Sequence, residues 1–189
     1  MILIDEDTQF DFMLPAGALY VPGAERLMPI FARIFERVRE RGIPVISSVD
    51  AHRENDPEFA DWPAHCVAGT LGQQKVPVTL LNGRVVVPNR PEVDLPKNAP
   101  QVIVEKQTLD VFCNPNFRKL LDMYPEEECA VLGVATDYCV RCAVDGLLDA
   151  GRKVSVITDA IKAIDQAAGE KLLAGWAARG ARLITSEAL

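Results

Sequence analysis

The sequence predicts an α/β fold: an open six-stranded parallel sheet with helices on both faces, in three layers. Short and nearly continuous apolar runs alternate with segments in which apolar residues recur at helical spacing. Continuous apolar runs suit strands that are buried on both faces, as in a parallel sheet. Pro- and Gly-rich segments punctuate the alternation without breaking it into repeats. The 189 residues are 49% hydrophobic and 25% charged, which suits a single domain spanning 1–189 with a sizeable core.

Ile2-Leu3-Ile4 is the first strand, and it runs directly into Asp5-Glu6-Asp7. Residues 8–19 read as a loop, broken by Pro15 and Gly17. Pro22 and Gly23 precede a helix whose stripe is Leu27, Ile30, Phe31, Ile34, Phe35 and Val38, with Gly42 beyond its end. The second strand runs from Ile43 to Val49 and meets Asp50. Residues 77–100 are loop-rich, with Val85-Val86-Val87 as a candidate small extra strand. Residues 101–104 form the next strand, ending at Glu105-Lys106, and Asn116 to Met123 a short helix. Cys129-Ala130-Val131-Leu132 is a buried strand that turns through Gly133–Asp137 into a helix carrying Val140, Ala143, Val144, Leu147 and Leu148. Gly151 closes that helix in the position that favours a left-handed residue. Lys153 to Ile157 is the fifth main strand, followed by Asp159 as a candidate cap. A helix over 167–178, stopped by Gly180, leads to the last strand, Ala181 to Ile184.

The formal net charge is −7, from 27 acidic and 20 basic residues, which argues against nucleic acid and anionic membranes as partners. No apolar run is long enough to span a bilayer, and acids follow Ile4 at once, so no secretory signal is expected. Five irregularly spaced cysteines fit reduced thiols and a cytoplasmic location better than a disulfide framework. Cys139 and Cys142 form a C-x-x-C pair, but without the usual interior of a redox motif.

Open parallel sheets bind ligands beyond the carboxyl ends of their strands. Four strand ends here deliver an acid (Asp7), a metal-type pair (Asp50 and His52), a lysine (Lys106) and a thiol (Cys139) to one edge. Cys139 falls in the first turn of its helix, where the dipole favours a thiolate, Thr136 or Asp137 can cap, and backbone N–H groups can hold an oxyanion. It is either a nucleophile for a carbonyl carbon or a small residue filling space. Attack needs a base. Both histidines, His52 and His65, lie in a loop rich in metal-capable side chains, so Asp7 is the available acceptor, with Lys106 as a neighbouring cation. Asp50, His52 and His65 suit a divalent ion, Zn before Fe or Mn, with Glu58 as a further contributor and Cys66 as an alternative. Each residue has an ordinary structural explanation when taken alone, and their joint placement favours a site.

In combination these motifs resemble the isochorismatase-like cysteine hydrolases, and within them the nicotinamidases. The resemblance lies in Asp7-Thr8-Gln9-Phe10-Asp11-Phe12, Gly17-Ala18-Leu19-Tyr20-Val21-Pro22, Asp50-Ala51-His52, Trp62-Pro63-Ala64-His65-Cys66, Lys106 and the turn Gly133 to Val140, in order along nearly the whole chain. It implies a Rossmann-like six-stranded sheet and a Cys139, Asp7 and Lys106 triad. It also implies a cis peptide between Val134 and Ala135, with the amides of Ala135 and Cys139 holding the oxyanion. A pocket of Phe12, Leu19, Trp62 and Tyr138 would take a ring that the metal orients. The implied reaction is hydrolysis of a linear carboxamide, nicotinamide to nicotinate and ammonia, through a thioester in a cytoplasmic homo-oligomer. The chain departs from the family pattern at Asp5 and Glu6, where apolar residues are usual, and at Gln107 and Val111–Pro115. A related hydrolase of another small amide or ureide, and a metal- or ligand-binding module without catalysis, are the competing readings.

Overall fold

A computed structural model describes residues 1–189. Five helices surround a parallel sheet of seven strands: β1 (Ile2–Glu6), β2 (Val45–Asp50), β3 (Val85–Val87), β4 (Gln101–Lys106), β5 (Cys129–Val134), β6 (Val154–Lys162) and β7 (Arg182–Ile184). Their spatial order is β3-β4-β2-β1-β5-β6-β7. The expected count of six is therefore corrected to seven. The added strand is the Val85–Val87 run, which pairs with Val102–Val104 at the sheet edge. Only Val87 of the three is buried, so the run lacks the two-faced burial that marks the central strands.

The helices are α1 (Phe10–Met13), α2 (Met28–Arg41), α3 (Phe117–Asp122), α4 (Cys139–Asp149) and α5 (Gln166–Ala178). Alternation along β1 sends Ile2 and Ile4 to one face and Leu3 to the other. Ile2 and Ile4 join Phe117, Leu120, Val140, Val144 and Trp176 from α3, α4 and α5. Leu3 joins Phe31, Ile34, Phe35 and Val38 from α2, so each face of the sheet has its own apolar core. Gly42 ends α2 in the left-handed region, as its position implied.

Three local expectations are corrected. Residues 10–13 form one helical turn inside the first loop. β6 runs on to Lys162, and Asp159 turns its carboxylate to the N–H and hydroxyl of Ser186 instead of capping a helix. α5 is capped by Asp165, which accepts from the N–H groups of Ala167 and Ala168.

Gly133, near the end of β5, sits at φ +124, and a Cβ there would lie 2.0 Å from the carbonyl oxygen of Glu6. Gly133→Ala is expected to destabilise the protein by about 2–5 kcal/mol, from the unfavourable φ and from overpacking against rigid backbone. A urea midpoint unchanged from wild type would contradict this tight approach of β5 to β1.

Candidate active site

The strand order makes β4, β2, β1 and β5 consecutive neighbours, and β1 is where the order of the chain reverses. Their carboxyl ends therefore present Lys106, Asp50, Asp7 and the turn before α4 side by side. In the parallel register Asp50 pairs with Lys106. Asp7 leaves β1 at φ 49, a left-handed conformation that aspartate tolerates better than most residues. The Val134–Ala135 peptide is cis.

Lys106 is fully buried between two carboxylates. Its Nζ lies 2.8 Å from Asp7 Oδ2, pairs directly with Asp50 Oδ1, and stands 3.7 Å from Cys139 Sγ. Burial alone would lower its pKa, but the Asp50 and Asp7 charges outweigh that and hold it well above the usual lysine range. Asp50 is the reverse case. Burial favours its neutral form, yet the Lys106 charge and the neighbouring imidazoles of His52 and His65 keep it below the usual carboxylate range.

Burial pushes the Cys139 thiol well above its ordinary pKa; Lys106 opposes this, while Asp7 and Asp50 add to it. Desolvation and two carboxylates thus oppose the thiolate that the helix dipole favours. Asp7 and Cys139 share the Lys106 ammonium, whose Nζ lies 2.8 Å from Asp7 Oδ2 and 3.7 Å from Cys139 Sγ. Burial also raises Asp7, with Lys106 pulling it down, so a carboxylate that takes up a proton readily faces a protonated sulfur.

The capping expectation is corrected as well. Neither Thr136 nor Asp137 caps α4, whose N-cap is Tyr138 without a side-chain bond. Asp137 instead accepts from the N–H groups of Ile164 and Asp165, at 3.0 and 2.8 Å, and so fixes the segment after β6. The amides of Ala135 and Cys139 donate to no protein acceptor. A capping side chain would have occupied such donors; without one, they are free to receive an anion.

Asp50, His52 and His65 place ligand atoms within 4.8 Å of one another, all in buried residues. Asp50 Oδ2 lies 3.8 Å from His52 Nε2 and 3.7 Å from His65 Nε2. His65 Nδ1 meets the Pro63 carbonyl oxygen at 2.7 Å, which puts the proton on Nδ1 and leaves Nε2 as a lone pair. Both nitrogens of His52 are buried without a hydrogen-bond partner, with Asp56 Oδ2 3.2 Å from Nδ1. Two imidazoles and a carboxylate converging on one point, with buried nitrogens unsatisfied, fit a divalent cation. Cys66 points elsewhere: its sulfur faces the Gly72 carbonyl oxygen at 3.8 Å, and burial raises its thiol pKa. Glu58 stands outside the three-ligand group but lines the adjoining pocket, where burial and Asp50 raise its pKa.

That pocket is narrow and opens to solvent, and ten of its thirteen lining residues are hydrophobic. Phe12, Leu19, Trp62 and Tyr138 all line it, with Asp50, His65 and Cys139 at its polar end. Trp62 and Tyr138 meet edge to face at 5.4 Å between ring centroids. Residue-type reasoning missed Leu109 and Ile164, apolar loop residues with no periodicity to expose them. It also missed Phe59, which packs on the rings of His52 and His65.

Gln9 and Asp11 were legible as motif letters but not as roles. The Gln9 side-chain amide donates to the Asp50 carbonyl oxygen at 2.8 Å and accepts from the Asp50 N–H at 2.7 Å, locking the backbone of β2 where it carries the carboxylate. Asp11 accepts from the N–H of Cys66 at 2.7 Å and so anchors the residue beside His65.

If the three residues bind an ion, His65→Ala is expected to lower the metal content of purified protein by at least about tenfold and to leave the melting profile of metal-free protein nearly unchanged. Metal analysis by mass spectrometry checks this; full occupancy in the variant would remove His65 from the ligand set.

Comparisons with known proteins agree with this geometry. The family model described as the isochorismatase domain matches residues 1–188. A nicotinamidase of Escherichia coli (strain K12) is 29% identical over 182 residues, covering 84% of this chain and 81% of its own. Among solved structures, a pyrazinamidase of Pyrococcus horikoshii in complex with zinc superposes with a TM-score of 0.79 at 30% identity, covering 97% of this chain and 98% of that one. An isochorismatase-like hydrolase of Alkaliphilus metalliredigens gives 0.81 at 26% identity, covering 99% and 95%. The chain belongs to the isochorismatase family and is a hydrolase with that family's α/β fold.

Proposed function

We propose that the protein is a metal-dependent cysteine amidase that hydrolyses nicotinamide to nicotinate and ammonia. The observation that carries this reading is the position of the Cys139 sulfur. It lies 3.7 Å from Lys106 Nζ at the polar end of an apolar pocket whose wall includes Asp50 and His65. A flat aromatic amide suits such a pocket, with its ring among Phe12, Leu19, Trp62 and Tyr138 and its carboxamide against the sulfur. The E. coli nicotinamidase and the zinc-bound pyrazinamidase point to the same substrate class.

In the first half-reaction Asp7 accepts the proton of the Cys139 thiol as Sγ attacks the amide carbonyl carbon. The carbonyl oxygen gains negative charge and is received by the free amides of Ala135 and Cys139. Asp7 returns the proton to the departing nitrogen, ammonia leaves, and a thioester remains on Cys139. In the second half-reaction Asp7 takes a proton from water, hydroxide adds to the thioester carbon, and the sulfur leaves and recovers the proton as the acid is released. Lys106 stays charged throughout and holds Asp7 in place. Asp50, His52 and His65 would hold a divalent ion, which would supply Lewis acidity to help orient the substrate. The unpaired cysteines fit a reducing compartment such as the cytoplasm.

Ammonia release from a panel of amides and ureides by zinc-loaded protein tests the proposal. Nicotinamide and pyrazinamide are expected to be turned over well above the others. Turnover of only an aliphatic amide or a ureide would reject nicotinamide as the substrate, and no turnover of any would reject the enzyme reading.

A further inference from the structure

Beneath the site lies a second carboxyl group that the proposed mechanism does not use. Glu6 is fully buried at the end of β1. Ser48 Oγ lies 2.7 Å from Glu6 Oε2 and 2.6 Å from Asp7 Oδ1, and it also accepts from the Asp7 N–H at 3.2 Å. A serine hydroxyl has one proton to donate. If both carboxyls were ionised, one of these two contacts would set lone pairs against each other at hydrogen-bond distance. One carboxyl therefore carries a proton.

The surroundings decide which. Asp7 has the Lys106 ammonium at 2.8 Å, whereas Glu6 Oε1 is buried without any partner. A lone buried oxygen is tolerated on a neutral acid far better than on an anion. We infer that Glu6 is a positioning residue for Asp7: it rests as a neutral acid, donates to Ser48 Oγ, and so directs the single serine proton onto the Asp7 carboxylate. This inference rests on the proposed role of Asp7 as proton acceptor.

The charged groups that act on Glu6 agree with this assignment. Burial, then Asp7, raise its pKa, the Ser48 hydrogen bond and Lys106 lower it, Asp5 raises it further, and the result is pushed up to about 8. Asp5 itself is paired with Lys75 at 3.1 Å and accepts from Ser47 and Thr8. The departure of this chain from the apolar residues usual before the acid thus acquires a use. Glu6 keeps its proton throughout the reaction, and the protons that move, from the thiol and then from water, pass through Asp7.

The test needs no variant to begin. In wild-type protein labelled with ¹³C at the glutamate carboxyls, one resonance is expected at the position of a neutral acid at pH 7, absent from Glu6→Gln. In zinc-loaded enzyme, Glu6→Gln keeps a donor and removes the ionisation, so the fall in kcat as Glu6 ionises is expected to move to higher pH with KM unchanged. Glu6→Met removes the donor and is expected to lower kcat at least about tenfold at every pH. If every glutamate resonance of the folded wild type is that of an ionised carboxylate at pH 7, the inference is overturned. If Glu6→Gln leaves the alkaline limb where the wild type has it, it is overturned too. A neutral Glu6 in a protein that hydrolyses no amide would overturn the proposed function instead, so the two failures are distinguishable.

Discussion

Replacing Cys139 with alanine is expected to abolish turnover, lowering kcat by on the order of 10³-fold or more. The sulfur is the one nucleophile that the fold aims into the pocket beside both free turn amides. Cys142 lies one helical turn further on and does not line the pocket, so it offers no substitute. The effect on stability should be small, because a buried cysteine that loses only its sulfur leaves a cavity smaller than a methyl-rich side chain would. Cys139→Ser is expected to be nearly as inactive, since its hydroxyl is a poorer nucleophile without a stronger base than Asp7. Initial rates of ammonia release, together with metal content, check this. A Cys139→Ala protein with full metal content and normal activity would reduce the residue to a space-filler.

Removing the charge of Lys106 is expected to have the largest effect on stability. Lys106→Met would leave Asp7 and Asp50 fully or nearly buried without their shared cation. Breaking a buried ion pair from one side costs about 3–5 kcal/mol, and here one lysine serves two carboxylates. The pH dependence fixes the sign. In the wild type Asp50 is held below its ordinary pKa, so its contribution is present above the unfolded value and lost as pH falls. Without Lys106, burial raises the pKa of both acids, and stability falls as pH rises through their unfolded values. Metal-free Lys106→Met should therefore be most impaired relative to wild type at pH 7 and recover part of the difference near pH 5. Urea melts at the two values check this. An equal loss at both would show that the lysine's packing, not its charge, supports the fold.

The core of the fold was legible because its signal is redundant. The central strands are buried on both faces and β5 reads as a continuous apolar run, as does the start of β1, while α2 and α4 each carry an apolar stripe. The strand-end rule then brings Asp7, Asp50, Lys106 and Cys139 to one place. What stayed hidden depends on tertiary context. β3 is three residues long with two of them exposed, and β6 runs on through residues 158–162 with a register shift against β5 between Val131 and Gly133. The thiol's high pKa follows from desolvation and from Asp7 and Asp50, none of which has a trace in local sequence. Lys106 was expected beside Asp7, but its pairing with Asp50 couples the proton-transfer site to the metal-type loop and needs the β2–β4 register to be seen. Glu6 could be noticed as an unusual acid, but its place against Ser48 could not be read from spacing.

The most direct test of the mechanism is capture of the thioester. Zinc-loaded protein mixed with excess nicotinamide, quenched in acid within one turnover and measured as an intact mass, is expected to carry one nicotinoyl group, with peptide mapping placing it on Cys139. Quenched samples that turn over nicotinamide but never show this adduct, or show it on another residue, would contradict nucleophilic attack by the Cys139 sulfur.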